Sequence, residues 1–340
     1  MTDAAWMNAA IALGERGRGR TAPNPNVGCL IVQPAPAQAG GVVVGRGWTQ
    51  PGGRPHAEAM ALAEAGEYAR GSTVYATLEP CAHQSARGPA CVDLLRAARP
   101  ARVVVALGDP DPRTDGAGIA RLRAAGIAVA QGIGAEAAAA SMAGFLSRIR
   151  LGRPFVTLKL ALSIDGRIAL ASGESRWITG EAARADAHLE RARADMILVG
   201  RGTYETDAPA LDVRLPGLED RSPRRGLLTR GTAPAGWTGL DRPEAIAELG
   251  GVNDLLVEGG ARTAAAFLAA DLIDRLIVYR APILIGDGKA GIADIGLAAL
   301  ADAHGRWRRT EARPLGNDLR EVYVRTRASS GKAGTGFPPG

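Results

Sequence analysis

His56-Ala57-Glu58-Ala59-Met60-Ala61-Leu62, Thr73-Val74-Tyr75-Ala76-Thr77, Pro80-Cys81 and Cys91-Val92-Asp93-Leu94-Leu95 alternate helix and strand signals over a short span. Met60, Leu62 and Ala63 suit a helix packed on a sheet, and the run 73–77 is β-rich. The chemically distinctive side chains fall at the edges of these elements: His56 opens the first helix, Cys81 follows the strand and Cys91 opens the second helix. One imidazole and two thiols are the donor set of a catalytic zinc, which takes three protein ligands and leaves a fourth tetrahedral position for water. Mixed thiolate and imidazole donors favour zinc over magnesium or calcium. Glu58, two residues after His56, stands where a carboxylate can pass a proton from that water to a leaving amine. His-Ala-Glu or Pro-Cys alone is a weak signal, and their joint placement carries the reading. Nine residues separate the cysteines, against two in the usual deaminase signature.

Outward from this stretch the alternation continues. Upstream, Asp3 is placed to cap a helix through Trp6, Met7, Ala10, Ile11 and Leu13. Asn24-Pro25-Asn26 reads as a turn, and 27–32 with 41–48 as a hairpin joined by the loop 34–40. Cys29, in the apolar run Val27–Val32, reads as a buried strand residue. Downstream come a strand at 103–107, a helix at 116–125, a strand at 127–130 and a helix at 135–149. Asp109-Pro110-Asp111-Pro112 is a rigid turn at a strand's carboxyl end, where α/β proteins place ligands. The pattern predicts an α/β three-layer sandwich with helices on both faces of its sheet. Near Arg148–Pro154 a helix ends and basic residues intervene, so a first domain is expected over 1–148 and a second over 152–327. The segment 328–340, rich in Ser, Gly, Ala and Pro, reads as a disordered tail.

Four stretches organise the second half. Lys159–Arg167 is a strand turning sharply at Asp165-Gly166. Ser172–Gly180 leads into a helix with Glu181, Arg184, Leu189 and Arg191. Met196–Thr203 runs on to Asp207–Arg214. Last, the strand Leu255-Leu256-Val257 is followed by Glu258-Gly259-Gly260 and a helix from Ala261. A strand, a glycine pair and a helix N-terminus present free backbone N–H groups and a positive dipole end to an anion. Read alone, it is first of all a tight strand-to-helix turn. It lacks Gly-x-Gly-x-x-Gly, so an ordinary Rossmann domain is not expected.

A length of 340 residues favours two domains. The net charge of +6 comes from scattered arginines without a basic tract, and aromatics make up 4% of the chain, too few for a base-stacking platform. Nucleic acid is therefore not the expected partner, and a phosphorylated small molecule accounts for the charge as well. Three cysteines, two of them given to a metal, are no disulfide framework and fit a reducing cytoplasm. Met1-Thr2-Asp3-Ala4 starts no secretory signal, and no apolar run reaches membrane-spanning length. A cytoplasmic homodimer without membrane contact is expected.

Thr77-Leu78-Glu79-Pro80-Cys81-Ala82-His83, Arg87-Gly88-Pro89-Ala90-Cys91 and Pro23-Asn24-Pro25-Asn26-Val27-Gly28-Cys29 together resemble the bifunctional riboflavin-biosynthesis deaminase–reductase family, in which the loop between the cysteines is long. The resemblance runs from Asp3 to Arg327. It implies a cytidine-deaminase-like N-terminal domain and a C-terminal α/β domain similar in fold to dihydrofolate reductase. It implies zinc-dependent removal of an exocyclic amine from a diamino-(phosphoribosylamino)pyrimidinone. NADPH reduction of the ribosyl side chain to ribityl phosphate follows. Contacts to the pyrimidine substrate are implied for Asn24, Asn26, His83 and Arg87, although the two asparagines read equally as turn residues. Cofactor contacts are implied at Ala161, Trp177, Thr203, Asp207 and the turn Gly260, Ala261, Arg262 and Thr263. Substrate contacts are implied at Ser175, Arg191, Leu211, Arg214 and Glu258. Guanidinium forks at Arg191 and Arg214 suit a phosphate, yet each arginine alone is equally a solvated charge, and Trp177 is equally a core anchor. The chain departs from the family in three places. The inter-cysteine loop is one residue longer, with Gly88-Pro89-Ala90 before Cys91. Asp207-Ala208-Pro209 stands where two acids often precede the proline, and 223–237 is shortened. Two rival readings remain: a nucleic-acid deaminase with an accessory domain, and a monofunctional zinc deaminase with a degenerate reductase-like domain.

Overall fold

The computed structural model describes residues 1–34, 40–84 and 87–327. Most of the loop expected at 34–40, and the tail expected from 328, lie outside the described residues. In chain order the elements are α1 (Asp3–Gly14), β1 (Gly28–Gln33), β2 (Val42–Trp48), α2 (Ala57–Ala65), β3 (Thr73–Leu78), α3 (Cys91–Ala98), β4 (Arg102–Leu107), α4 (Ala117–Ala124), β5 (Ala128–Gln131), α5 (Ala135–Ser141) and α6 (Ala143–Leu151). There follow β6 (Phe155–Ser163), β7 (Arg167–Ala169), α7 (Glu181–Ala192), β8 (Met196–Gly200), α8 (Arg201–Asp207), β9 (Arg224–Leu228), β10 (Trp237–Leu240), β11 (Asp254–Val257), α9 (Ala261–Ala269), β12 (Arg275–Ala281), β13 (Lys289–Ala290), β14 (Trp307–Leu315) and β15 (Asp318–Arg325). The chain forms two compact units, Met1–Val156 with Ala185–Val257, and Thr157–Arg184 with Glu258 onward.

In the first unit one sheet has the order β2-β1-β3-β4-β5. β1 is antiparallel to β2 and β3, whereas β3, β4 and β5 run parallel. Parallel strands covered on both faces read as continuous apolar runs, and β3 and β4 are buried along almost their whole length. Two glycines show where the helices sit. A Cβ on Gly28 would meet Ala10 O of α1 at 1.8 Å, and one on Gly47 would meet Ala57 O of α2 at 2.0 Å. Gly47 pairs with Cys29, the residue after Gly28. Strand alternation therefore puts the two glycines, and with them α1 and α2, on opposite faces. This is the expected three-layer arrangement. Met7, Ile31, Leu95, Leu122 and Met142 are fully buried in its core, each such side chain contributing about 1.5–3 kcal/mol.

Two local expectations change. Thr2, not Asp3, caps α1, accepting the Ala5 N–H at 3.4 Å. Asp3 instead accepts the Tyr75 hydroxyl at 2.7 Å and pairs with Arg102 at 2.7 Å, which ties α1 to the sheet. The single helix expected over 135–149 is two, α5 and α6, broken at Met142. Gly144 lies hard against Asp254, so docking rather than alanine's helix propensity sets the direction of α6.

The same unit contains the parallel strands β10, β9, β8 and β11, neighbours in that order. Ile197, Val199, Leu227 and Leu256 form their core. In the second unit β6 and β12 are parallel, and β12, β15 and β14 follow as antiparallel neighbours. β7 and β13 pair separately. Among the described residues no helix is long and apolar enough to cross a membrane.

Candidate active sites

The zinc-type donors come together. His56 is the residue before α2, with extended backbone, Cys81 follows β3 and Cys91 begins α3. Their ligand atoms all lie within 4.8 Å of one another. His56 Nδ1 is 3.3 Å from Cys91 Sγ and 3.6 Å from Cys81 Sγ. Two ligands at ordinary zinc–nitrogen and zinc–sulfur lengths and a tetrahedral angle stand about 3.5 Å apart, so the cluster fits such an ion. The Cys91 N–H donates to Cys81 Sγ at 3.3 Å. Hydrogen bonding from Cys91 and His56 pulls the Cys81 thiol well down against its burial, while donation to Cys81 and burial push Cys91 up. The hydrogen bonds that lower the Cys81 thiol favour the thiolate, the form that binds metal. Glu58 sits in the first turn of α2 and is 4% exposed. Burial pushes its carboxyl up, with His56 opposing.

The segment leading into His56 gathers two more of the expected residues. The Asn24 amide lies so close to Gly53 that a Cβ there would fall 1.7 Å from its Nδ2. Gly52 N–H donates to Arg20 O at 2.8 Å, and Arg87 Nη2 donates to Gly52 O at 2.8 Å. Asn26 behaves differently. Its amide nitrogen donates to Ser141 Oγ at 3.2 Å and Ser141 O at 3.3 Å, and reaches Gly14 O at 3.5 Å. These bonds join scaffold segments, so the Asn26 amide nitrogen ties the turn to Gly14 and Ser141. His83 Nδ1 is buried without a partner among the described residues. Asp109 is pushed up to about 6 by burial, and its Oδ1 accepts the Asp111 N–H at 3.0 Å.

Glu79, inside the Thr77–His83 motif, has a role that the motif does not reveal. Its Oε1 accepts the Ile119 N–H at 3.0 Å, and its Oε2 accepts the N–H groups of Asp109 at 3.2 Å and Gly116 at 3.1 Å. One buried carboxylate therefore joins the end of β3 to the turn after β4 and the start of α4, two residues before Cys81. The available signal was an acid at the end of an apolar strand, directly before Pro80-Cys81.

In the first unit Arg191 on α7 donates to Asp212 O at 3.1 Å, and Arg214 pairs with the Asp212 carboxylate at 3.2 Å. Leu211, beside Asp212, is buried and has a φ of 56°, a left-handed conformation uncommon for a bulky residue. Arg191, Leu211 and Arg214 are thereby brought together. Thr203 and Asp207 lie on α8. In the second unit Lys159 pairs with Glu258 at 3.4 Å, both largely buried. Ala161 lies two residues along β6, on the same face as Lys159. Trp177 is 65% exposed, with the Arg184 guanidinium 4.7 Å from its ring centre, so it is not a core anchor. Ser175 belongs to the same loop. Gly260 is the N-cap of α9, with Ala261, Arg262 and Thr263 forming its first turn.

Residues 1–107 match the family model of the cytidine and deoxycytidylate deaminase zinc-binding region, and residues 154–320 match that of the RibD C-terminal domain. Fold and site together define a zinc-type deaminase joined to a reductase. The riboflavin biosynthesis protein RibD of Escherichia coli K12 is 39% identical, covering 94% of this chain and 98% of its own length. That of Mycobacterium tuberculosis H37Rv is 40% identical over 92% and 94%. The solved RibD of Acinetobacter baumannii matches with a TM-score of 0.85 at 37% identity, covering 96% of this chain and 99% of its own. A diaminohydroxyphosphoribosylaminopyrimidine deaminase/5-amino-6-(5-phosphoribosylamino)uracil reductase from Thermotoga maritima also matches with a TM-score of 0.85, at 27% identity over 95% and 99%. The chain belongs to the RibD family, the bifunctional deaminase–reductases of riboflavin biosynthesis. Because relatives match across both halves, the monofunctional reading is not favoured.

Proposed function

We propose that residues 1–148 deaminate a diamino-(phosphoribosylamino)pyrimidinone and that residues 152–327 then reduce its ribosyl side chain with NADPH. His56, Cys81 and Cys91 hold zinc in this reading. The observation that carries it is the convergence of those three donors with Glu58 in the adjoining helical turn. Zinc bound there supplies the Lewis acidity that makes water a nucleophile near neutral pH. Glu58 takes the proton released by that water and delivers it to the departing amine. Burial raises its proton affinity, which suits a group that must hold a proton before passing it on. Asn24 reads an edge of the pyrimidine, and Arg87, bonded to Gly52 O, holds the substrate.

In the reductase half a nicotinamide cofactor supplies the hydride, and the protein's task is orientation. The N-terminus of α9, with Gly260, Ala261, Arg262 and Thr263, turns its positive dipole end to cofactor phosphate. Ala161 and Trp177, in the same unit as α9, complete that contact. Arg191 and Arg214, grouped around Asp212 with Leu211 beside it, bind the ribosyl phosphate. The enzyme is proposed to act as a cytoplasmic homodimer, apart from nucleic acid and membrane. The direct test is to incubate the purified protein with the diaminopyrimidinone ribosyl phosphate, with and without NADPH, and weigh the products. Without NADPH the deaminated ribosyl compound should accumulate, and with it the ribityl compound. Unchanged substrate under both conditions would overturn the reading.

A further inference from the structure

We propose that Asn253, in the second half of the sequence, is a positioning residue for the deaminase reaction, fixing the turn that presents Asn24 beside the segment leading to His56. Asn253 is 5% exposed. Its Nδ2 donates to Pro23 O at 3.3 Å and to Asn24 O at 3.1 Å. Both partners are carbonyl oxygens, which only accept, so the amide can face them in one orientation alone. The backbone of Asn253 is equally constrained. Its N–H donates to Asp195 Oδ2 at 2.8 Å, and its carbonyl accepts the Phe155 N–H at 2.8 Å. Asp254, the next residue, donates its N–H to the same Asp195 oxygen at 2.9 Å and pairs with buried Arg18 at 2.8 Å. Residues 253–254 thus grip the segment 18–24 at two points. Inside the turn the Thr21 hydroxyl donates to Asn24 O at 3.0 Å, and Asn24 N–H donates to Thr21 O at 2.9 Å. The backbone of Asn24 is therefore fixed from inside by Thr21 and from outside by Asn253, while its side chain rests against Gly53.

Packing alone would make the same position tolerant of an isosteric side chain. Aspartate fills the same volume but sets a carboxylate oxygen against two carbonyl oxygens, so a donor role and a filler role predict opposite results. The inference rests on the reading of Asn24 as a pyrimidine contact, and the test separates the two.

Zinc-loaded full-length Asn24→Ala, Asn253→Ala, Asn253→Asp and the Asn24→Ala/Asn253→Ala double variant are assayed for deaminase kcat and KM. The same preparations are assayed as reductases on the deaminated compound, which also reports folding. Losing Asn253's two donors should raise deaminase KM about ten-fold with kcat within about three-fold, the scale of one or two hydrogen bonds. Asn253→Asp should be worse than Asn253→Ala. The double variant should be no worse than Asn24→Ala, because both changes act on one contact. Reductase constants should stay at wild-type values. If Asn24→Ala raises KM while both Asn253 variants leave it unchanged, the inference falls and the role of Asn24 stands. If Asn24→Ala leaves KM unchanged, the role of Asn24 falls and takes the inference with it. Additive effects in the double variant would also overturn it. Should Asn253→Ala not fold, Asn253→Ser, which keeps one donor, takes its place with an intermediate rise in KM expected and no rise counting against the inference.

Discussion

Glu58 is where a single atom decides the chemistry. Glutamine at this position keeps the length of the side chain and an acceptor oxygen but cannot bind and release a proton. Glu58→Gln should therefore retain zinc, measured by metal analysis, while deamination falls by about 10²–10⁴-fold and reduction of the deaminated compound continues. Near-normal deamination would assign the proton to another group. The four residues of this centre were legible because each metal donor stands at an element boundary and Glu58 follows one of them by two positions. Asn24 and Asn26 could not be separated from sequence, since both are asparagines flanking one proline. Only the partners of Asn26, Gly14 and Ser141, show that its amide nitrogen is bonded to scaffold segments. Glu79 escaped because its three partners are backbone N–H groups from the turn after β4 and from α4, which leave no side-chain signature.

At the scale of elements, the junction before β8 and β11 stores a pH-dependent cost. Asp195 accepts the N–H groups of Asn253 and Asp254, but burial and the charge of Asp254 push its carboxyl up from 3.8 to about 6. A carboxyl raised in the folded state binds its proton more tightly there than in the unfolded chain. Its contribution is therefore intact below about pH 4, declines as pH rises towards 6, and stays reduced above that. At 1.36 kcal/mol per unit the cost is on the order of 3 kcal/mol at neutral pH. Asp195→Asn keeps an oxygen able to accept both N–H groups and removes the charge. The variant should match the wild type or fall slightly below it at pH 4 and exceed it at pH 7.5, read as the difference in Tm across that range. A difference independent of pH would show that Asp195 does not titrate there. Strands β1 to β6 and β11 were legible from β-rich runs and their flanking turns, whereas β10, β12, β14 and β15 were not among the expected elements. The break between α5 and α6 was not legible, because an isolated glycine in an alanine-rich segment reads as a tolerated helix residue, and Gly144 meets its partner Asp254 more than a hundred positions away.

Across the whole molecule, the two chemistries depend on different parts of the chain. His56, Cys81 and Cys91 are the one metal-type cluster of His, Cys, Asp and Glu among the described residues, and none of the reductase candidates belongs to it. Both halves could be recognised from their motifs, whereas the pairing of Arg18 with Asp254, 236 residues apart, could not, since long-range ion pairs leave no trace in local spacing. Separate chemistries on one chain predict an asymmetric response to metal removal. After chelation, NADPH oxidation supported by the diaminopyrimidinone should fall at least about 100-fold, because no deaminated compound is supplied; this is the lower end of the rate a single proton-transfer role contributes. Oxidation supported by the deaminated compound should remain near its starting rate in the same preparation. Added zinc should restore the first activity and raise Tm, since an ion that binds only the folded state stabilises it by about 2.7 kcal/mol at a hundred times its Kd. Loss of both activities on chelation, with Tm unchanged, would mean that the metal also serves the reductase and that the division of labour drawn between the two halves is wrong.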